Sequence, residues 1–161
     1  MAVTYEPIAT QTISGTTVVT FNSIPQTYTD LVLVAMTLSG SGGNSQLTVN
    51  NDSGANYSQT LIYGDGTSAV SSRYSASNFL YEVEANYSAT APAIGVMNFM
   101  NYSNTTTYKS IISQGGVANG RTNARVSLWR STAAISRIDI VQNTANYTTG
   151  TTFTLYGIKA A

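Results

Sequence analysis

Asp30-Leu31-Val32-Leu33-Val34-Ala35-Met36-Thr37-Leu38 is the most hydrophobic run of the chain, and its reading decides the fold. A proline stop at Pro25 precedes it and the loop Ser39-Gly40-Ser41-Gly42-Gly43-Asn44-Ser45 follows it, so it reads as one strand between two breaks. Apolar residues fall on both of its faces. Such a strand is either central and covered on both sides, or half of it faces a partner, and the sequence leaves both readings open.

Outward from this strand, Val, Ile, Thr, Tyr and Phe recur with period two, and no long segment carries an apolar 3.6 repeat. Upstream, Ile8 to Ile13 and Thr16 to Phe21 flank Ser14-Gly15, where glycine supplies the positive φ of a two-residue turn, and the spacing predicts a hairpin. Downstream, strands are expected at Gln46 to Asn50, Tyr57 to Tyr63, Asn78 to Glu84, Ala93 to Met100 and Thr107 to Ser113. Arg125 to Arg130, Ile135 to Val141 and Thr151 to Ile158 complete the set. Gly64-Asp65-Gly66 and the stretch Gly115 to Gly120 read as turns between strands. The expectation is an all-β chain: one antiparallel β-sandwich over residues 1–161, jelly-roll-like, of about ten short strands, with no interdomain linker. Asn-Tyr-Ser or Asn-Tyr-Thr recurs at Asn56, Asn86, Asn101 and Asn146 without flanking similarity, which is no repeat architecture but a by-product of the composition.

Charged residues make up 9% of the chain against about 25% in ordinary soluble domains, so Ser, Thr, Asn and Gly supply most of its polarity. Seven basic and seven acidic residues cancel, which leaves no field to attract a polyanion, and nucleic acid is not an expected partner. Without cysteine or histidine the chain lacks thiol nucleophiles, thiolate metal sites and the commonest general base. A non-enzymatic protein without cofactor or metal is expected. The start Met1-Ala2-Val3-Thr4-Tyr5-Glu6-Pro7 has no basic, apolar signal character, and no apolar stretch reaches the roughly 18 residues of a membrane span; synthesis in the cytosol and no membrane partner are expected.

Candidate chemistry is sparse. Glu82 and Glu84 flank Val83 on a predicted strand, placing two carboxylates on one face about 7 Å apart, a spacing also produced by ordinary polar-apolar alternation. Asn50, Asp52, Gly54 and Asn56 alternate oxygen donors like a calcium loop but lack its acidic count and terminal Glu, so a turn is expected. Gly40 to Gly43 and Gly115 to Gly120 lack the Lys-Ser/Thr ending of a phosphate cradle. Arg121, Arg125, Arg130 and Arg137 gather around the single tryptophan, Trp129. Arg125, Trp129 and Arg130 are therefore candidates for an interaction patch. The alternative puts one of Leu128 and Trp129 in the core, with Arg125 paired locally. Eleven tyrosines against four phenylalanines suit a β surface or the rims of a sandwich.

The stretch Phe21-Asn22-Ser23-Ile24-Pro25-Gln26-Thr27-Tyr28-Thr29-Asp30-Leu31-Val32-Leu33-Val34 resembles a family of virion proteins from tailed bacteriophages, especially of aquatic environments. The resemblance continues at Asn51 to Ser58, at Gly64-Asp65-Gly66 before Ser72-Arg73, and at Thr152-Phe153-Thr154-Leu155-Tyr156-Gly157-Ile158-Lys159. It implies a β-sandwich structural module, often trimeric, without catalytic residues. The function expected from it is that of a capsid decoration (cement) protein on the outer surface of the head, with the major capsid protein or other virion proteins as partners. A tail-fibre or head-fibre module that binds a host glycan, or a carbohydrate-binding module, is the alternative. Residues 1–7 are expected to form an N-terminal arm that pairs with a neighbouring chain, with Tyr5, Glu6 and Pro7 as capsid contacts. A homo-oligomer, first of all a trimer, is expected from the resemblance and from the low charge.

Overall fold

The computed structural model describes residues 4–13, 15–40, 44–81, 90–118 and 120–159. Among these, the chain is all-β, with twelve strands that pair antiparallel in two sheets. They are β1 (Tyr5–Ile13), β2 (Val18–Phe21), β3 (Asp30–Thr37), β4 (Ser45–Val49), β5 (Tyr57–Gly64) and β6 (Ala69–Ser77), then β7 (Leu80–Tyr81), β8 (Ala93–Phe99), β9 (Lys109–Val117), β10 (Thr122–Trp129), β11 (Ile138–Gln142) and β12 (Thr151–Ile158). The larger sheet has eight strands in the order β1-β12-β3-β8-β9-β10-β5-β6, and the smaller has four in the order β2-β11-β4-β7. The two faces share one apolar core, as in a β-sandwich. The eight-and-four division holds four strands more than the eight of a jelly roll.

Alternation builds that core. On the small sheet, Phe21, Ile138 and Val49 form one cross-strand row, and Val19, Ile140, Leu47 and Leu80 form the next. They meet Leu31, Leu33, Met97, Phe99, Phe153 and Leu155 from the inner face of the large sheet. Three tyrosines expected at surfaces or rims are wholly buried instead, and their hydroxyls end on polar groups at the margins of the sandwich. Tyr57 donates to the carbonyl of Asp52 at 2.9 Å, Tyr102 to the carbonyl of Pro25, and the Tyr147 hydroxyl shares a hydrogen bond with Ser45. Burial pushes the Tyr57 hydroxyl up to about 12.

The expected hairpin of Ile8 to Phe21 does not form. β1 pairs with β12 at the edge of the large sheet, whereas β2 pairs with β11 in the small one. Gly15 does take a positive φ of 78°, but it turns the chain from one sheet to the other, and its amide donates to the Tyr147 carbonyl at 2.9 Å. β6 was not expected at all: its Ser-rich sequence lacks apolar alternation, and pairing with β5 alone holds it at the opposite edge. Ile135 to Arg137 is not strand because its amides are engaged elsewhere, by the Tyr102 carbonyl and by the Asn50 side chain. β9 runs on through Gly115 and Gly116, so the connection to β10 is shorter than Gly115 to Gly120 and closes with Val117 donating to the Arg121 carbonyl at 3.0 Å.

Candidate functional site

The long apolar run is covered on one face only, so it is not the strand covered on both sides. In β3, Leu31, Leu33 and Ala35 enter the core, while Val34 and Met36 stand on the outer face with 37% and 38% exposure. Register extends that outer face. Val34 lies beside Val96 of β8, Met36 beside Ile94, Ile112 of β9 beside Val126 of β10, and Ala124 beside Ile62 of β5. Ile94, Ile62 and Val126 are more than half exposed, at 55%, 61% and 61%. From Val32 across β8, β9 and β10 to Thr60 and Ile62 of β5, the outward positions are aliphatic, thioether, hydroxyl, amide or glycine and include no charged residue. Charge sits at the margins: Arg73 on β6 beyond Thr60, Asp30 at the end of β3, and the Glu6–Lys159 pair by β1.

The face is not flat. A shallow, open depression of about 590 Å³ runs along Ile94, Val96, Gln114, Gly116 and Thr122, with the Thr122 methyl against Gly116. A second, of about 390 Å³, adjoins it beside Ile62, Ala69, Thr122 and Ala124.

A smaller polar cleft, about 170 Å³, opens on the inner side where β7 ends the small sheet. Tyr63, Tyr74, Tyr81, Arg121 and Arg125 line it. The Arg121 guanidinium lies 4.6 Å above the Tyr63 ring and that of Arg125 lies 5.8 Å from the Tyr81 ring, while Tyr74 meets Tyr81 edge-on at 5.4 Å. This arrangement offers aromatic faces beside fixed planar donors.

The candidate residues from the sequence separate. Trp129 is 2% exposed and Arg125 4%, both on the inner face of β10, so they cannot form an outward patch with Arg130. Trp129 enters the core by the alternation weighed against the patch, and Arg125 turns to Tyr81, whose carbonyl accepts from its Nη1 at 3.4 Å. Arg130 points elsewhere and donates to the Ala55 carbonyl at 2.6 Å. Tyr5, Glu6 and Pro7 belong to β1 and pair with Ile158, Gly157 and Tyr156, so they are not a detached arm. Pro7 is tolerated there because β1 is an edge strand, and the register slips between Pro7 and Ala9. Glu6 is tied by Lys159 at 2.8 Å and by the Tyr28 hydroxyl at 3.1 Å; the Lys159 bond, with that from Tyr28, holds its carboxyl below the usual range despite some desolvation.

Asn50 to Asn56 is a turn. The Asp52 carboxylate accepts from the Gly54 amide at 2.9 Å, from Asn56 at 3.0 Å and from the Trp129 indole at 2.6 Å, so its oxygens are committed to the protein. Glu82 and Glu84 lie outside the described residues, as do Ser41, Gly42, Gly43, Asn86 and Asn119. No group of three or more His, Cys, Asp and Glu positioned for a metal occurs among the described residues, and they contain no helix long and apolar enough to cross a membrane.

The outer-face residues beyond β3 had a signal in the sequence that alternation alone hides. Leu61-Ile62, Ala93-Ile94 and Ile111-Ile112 are adjacent apolar pairs, and on a strand each pair puts one side chain on each face. No protein-family model matches this chain, and no curated protein matches it.

Proposed function

We propose that this chain is a non-enzymatic structural protein of a tailed-bacteriophage virion, a decoration protein carried on the outer surface of the head. The observation that carries the reading is the uncharged outer face of the eight-stranded sheet, where Ile62, Ile94 and Val126 are held more than half exposed. Large aliphatic side chains gathered more than half exposed on one uncharged face suit a protein that works as part of a larger assembly. The resemblance in Phe21 to Val34 and Thr152 to Lys159 supplies the kind of assembly. The edge strand β1, with Tyr5 exposed and Pro7 unable to donate, is the side we assign to the major capsid protein or another virion protein.

Quantitative mass spectrometry of purified particles, with heads separated from tails, tests the reading. Hundreds of copies with the heads are expected. A handful with the tails, or none in the particle, overturns it.

One observation favours a second reading, that of a fibre or carbohydrate-binding module that recognises a host glycan. The cleft of Tyr63, Tyr74, Tyr81 and Arg121 has the stacking faces and directional donors that hold a sugar ring. Selective glycan-array binding lost in Tyr74→Ala supports it; a blank array alongside abundant protein on heads removes it.

A further inference from the structure

We infer that the outer face of the eight-stranded sheet is covered by a second copy of this chain, face against face. The inference deepens the assembly reading and rests on it, because it names what the exposed face meets first.

Size is the first argument. The uncharged region from β3 to β5 continues onto β12 through Thr152, Thr154 and Tyr156, beside Met36, Val34 and Val32, so it spans six strands, roughly 25–30 Å at the usual interstrand spacing, and runs roughly 20 Å along them. The product is roughly 500–600 Å² on each partner, which reaches the roughly 1,000 Å² in total asked of a specific interface and is smaller than the usual 800 Å² or so a side. The distribution of polarity is the second. An aliphatic centre at Val34, Ile94, Ile112 and Val126 gives way to charge only at the margin, at Arg73, Asp30 and the Glu6–Lys159 pair. This is the layout of an interface with a dry centre and a polar rim.

Charge selects the occupant. A face that lacks charge over its whole centre has only shape and uncharged hydrogen bonds with which to choose a different protein, without the complementary and repelling charges that do much of that work. The same neutrality removes any repulsion when the face meets itself, which is the requirement of a two-fold, isologous contact. Its relief also suits self-contact. Val126 and Ile62 stand out from the sheet beside shallow depressions along Gly116 and Ala124, so one surface carries both projections and lower ground. Two β-faces pack about 10 Å apart through such interdigitation.

The test uses the full chain in solution. Light scattering after size-exclusion chromatography is expected to give twice the 17.0 kDa of the chain. A larger even multiple that the same substitutions halve supports the inference equally, and an odd multiple overturns it. Val126→Lys and Ile94→Lys put a charge on the centre of the face, and each is expected to weaken association at least about tenfold while circular dichroism stays unchanged. Because the chain has no cysteine, Val126→Cys provides a second measurement that needs no loss of folding. Under mild oxidation it is expected to give a covalent dimer, while a cysteine placed at Thr67, on the β5–β6 turn, does not.

A wild-type chain that stays monomeric at high concentration overturns the inference. So does an oligomer that survives both lysine variants and yields no Val126→Cys dimer. These outcomes are separate from those of the virion reading: a monomer abundant on heads removes only the self-contact, and a sensitive dimer absent from particles removes only the decoration role.

Discussion

The indole Nε1–H of Trp129 donates to the Asp52 carboxylate at 2.6 Å, joining the last residue of β10 to the turn that leaves β4. The carboxylate also accepts from Gly54 and Asn56, so one acidic side chain fixes both the turn and the sole tryptophan of the core. Asp52→Ala leaves a buried indole donor unsatisfied and is expected to cost about 1–3 kcal/mol. Urea unfolding followed by tryptophan fluorescence measures it directly; a midpoint equal to wild type contradicts this role.

The same contact predicts an acid limb. Desolvation pushes the Asp52 carboxyl up, but the bonds from Trp129, Asn56 and Gly54 outweigh it and hold the group below its ordinary value. An unfolded chain then binds the proton more readily. The contribution to stability is therefore full above the unfolded value of about 3.9 and is lost as pH falls through the folded one. Asp52→Ala is expected to flatten the stability profile in that range and leave its neutral-to-alkaline part parallel to wild type.

Asn50 is a second fastening. It adopts a positive φ of 53°, donates from Nδ2 to the Ala134 carbonyl at 2.8 Å and accepts through Oδ1 from the amides of Ser136 and Arg137 at 2.9 and 3.1 Å. Asn50→Ala loses these bonds and also strains the left-handed backbone, with an expected cost of about 1–3 kcal/mol. Asn50→Gly relieves only the strain. If thermal melts show glycine to be fully tolerated, the side-chain bonds are not what holds Ile135 to Arg137 out of the strand.

Gly157 carries the ring of Tyr28 directly on its backbone. A Cβ at this position would fall within the van der Waals envelope of the ring carbons. Gly157→Ala is expected to destabilise by about 1–3 kcal/mol through overpacking. Combining it with Tyr28→Ala removes the clash, so the double variant should lose less than the sum of the two single losses. Additive losses would show that the ring moves aside freely.

The local elements were legible in the sequence because they depend on alternation and turn chemistry. Thr151 to Ile158 and Ala93 to Met100 are strands close to their expected bounds, and Asp65 closes the β5–β6 turn by accepting from the amides of Thr67 and Ser68. Pairing was less legible. Ser14-Gly15 carries the same signal whether the chain folds back on itself or crosses to the other sheet, and only the competing partners β12 and β11 decide. β6 escaped because an edge strand exposed on both sides needs no apolar face. Trp129 and Arg125 shared the composition of a hot spot, but their position on the strand set them inward. In β3, by contrast, both faces were visibly apolar, and only the position of the small sheet, on one side, shows which face stays uncovered.

Lys109 gives the last prediction. Its side chain is buried to 1% exposure, and its amine donates to the carbonyls of Thr107 and Thr132 at 2.8 and 3.2 Å, beside Trp129 in the β9–β10 register. Desolvation holds its pKa below the ordinary lysine value. The folded amine thus releases its proton before the unfolded one does, and this group's contribution to stability should rise with pH between the folded value and about 10.4. Lys159 differs: its side chain is 48% exposed, and the bond to Glu6 raises its pKa. An amine-acylating reagent is therefore expected to label Lys159 in the native protein and to reach Lys109 only at the rate of global unfolding. Peptide mapping after brief labelling, with and without denaturant, distinguishes them. Early native labelling of Lys109 would mean that the β9–β10 end of the sandwich opens locally, and the protection ascribed to the Thr107 and Thr132 carbonyls would not hold.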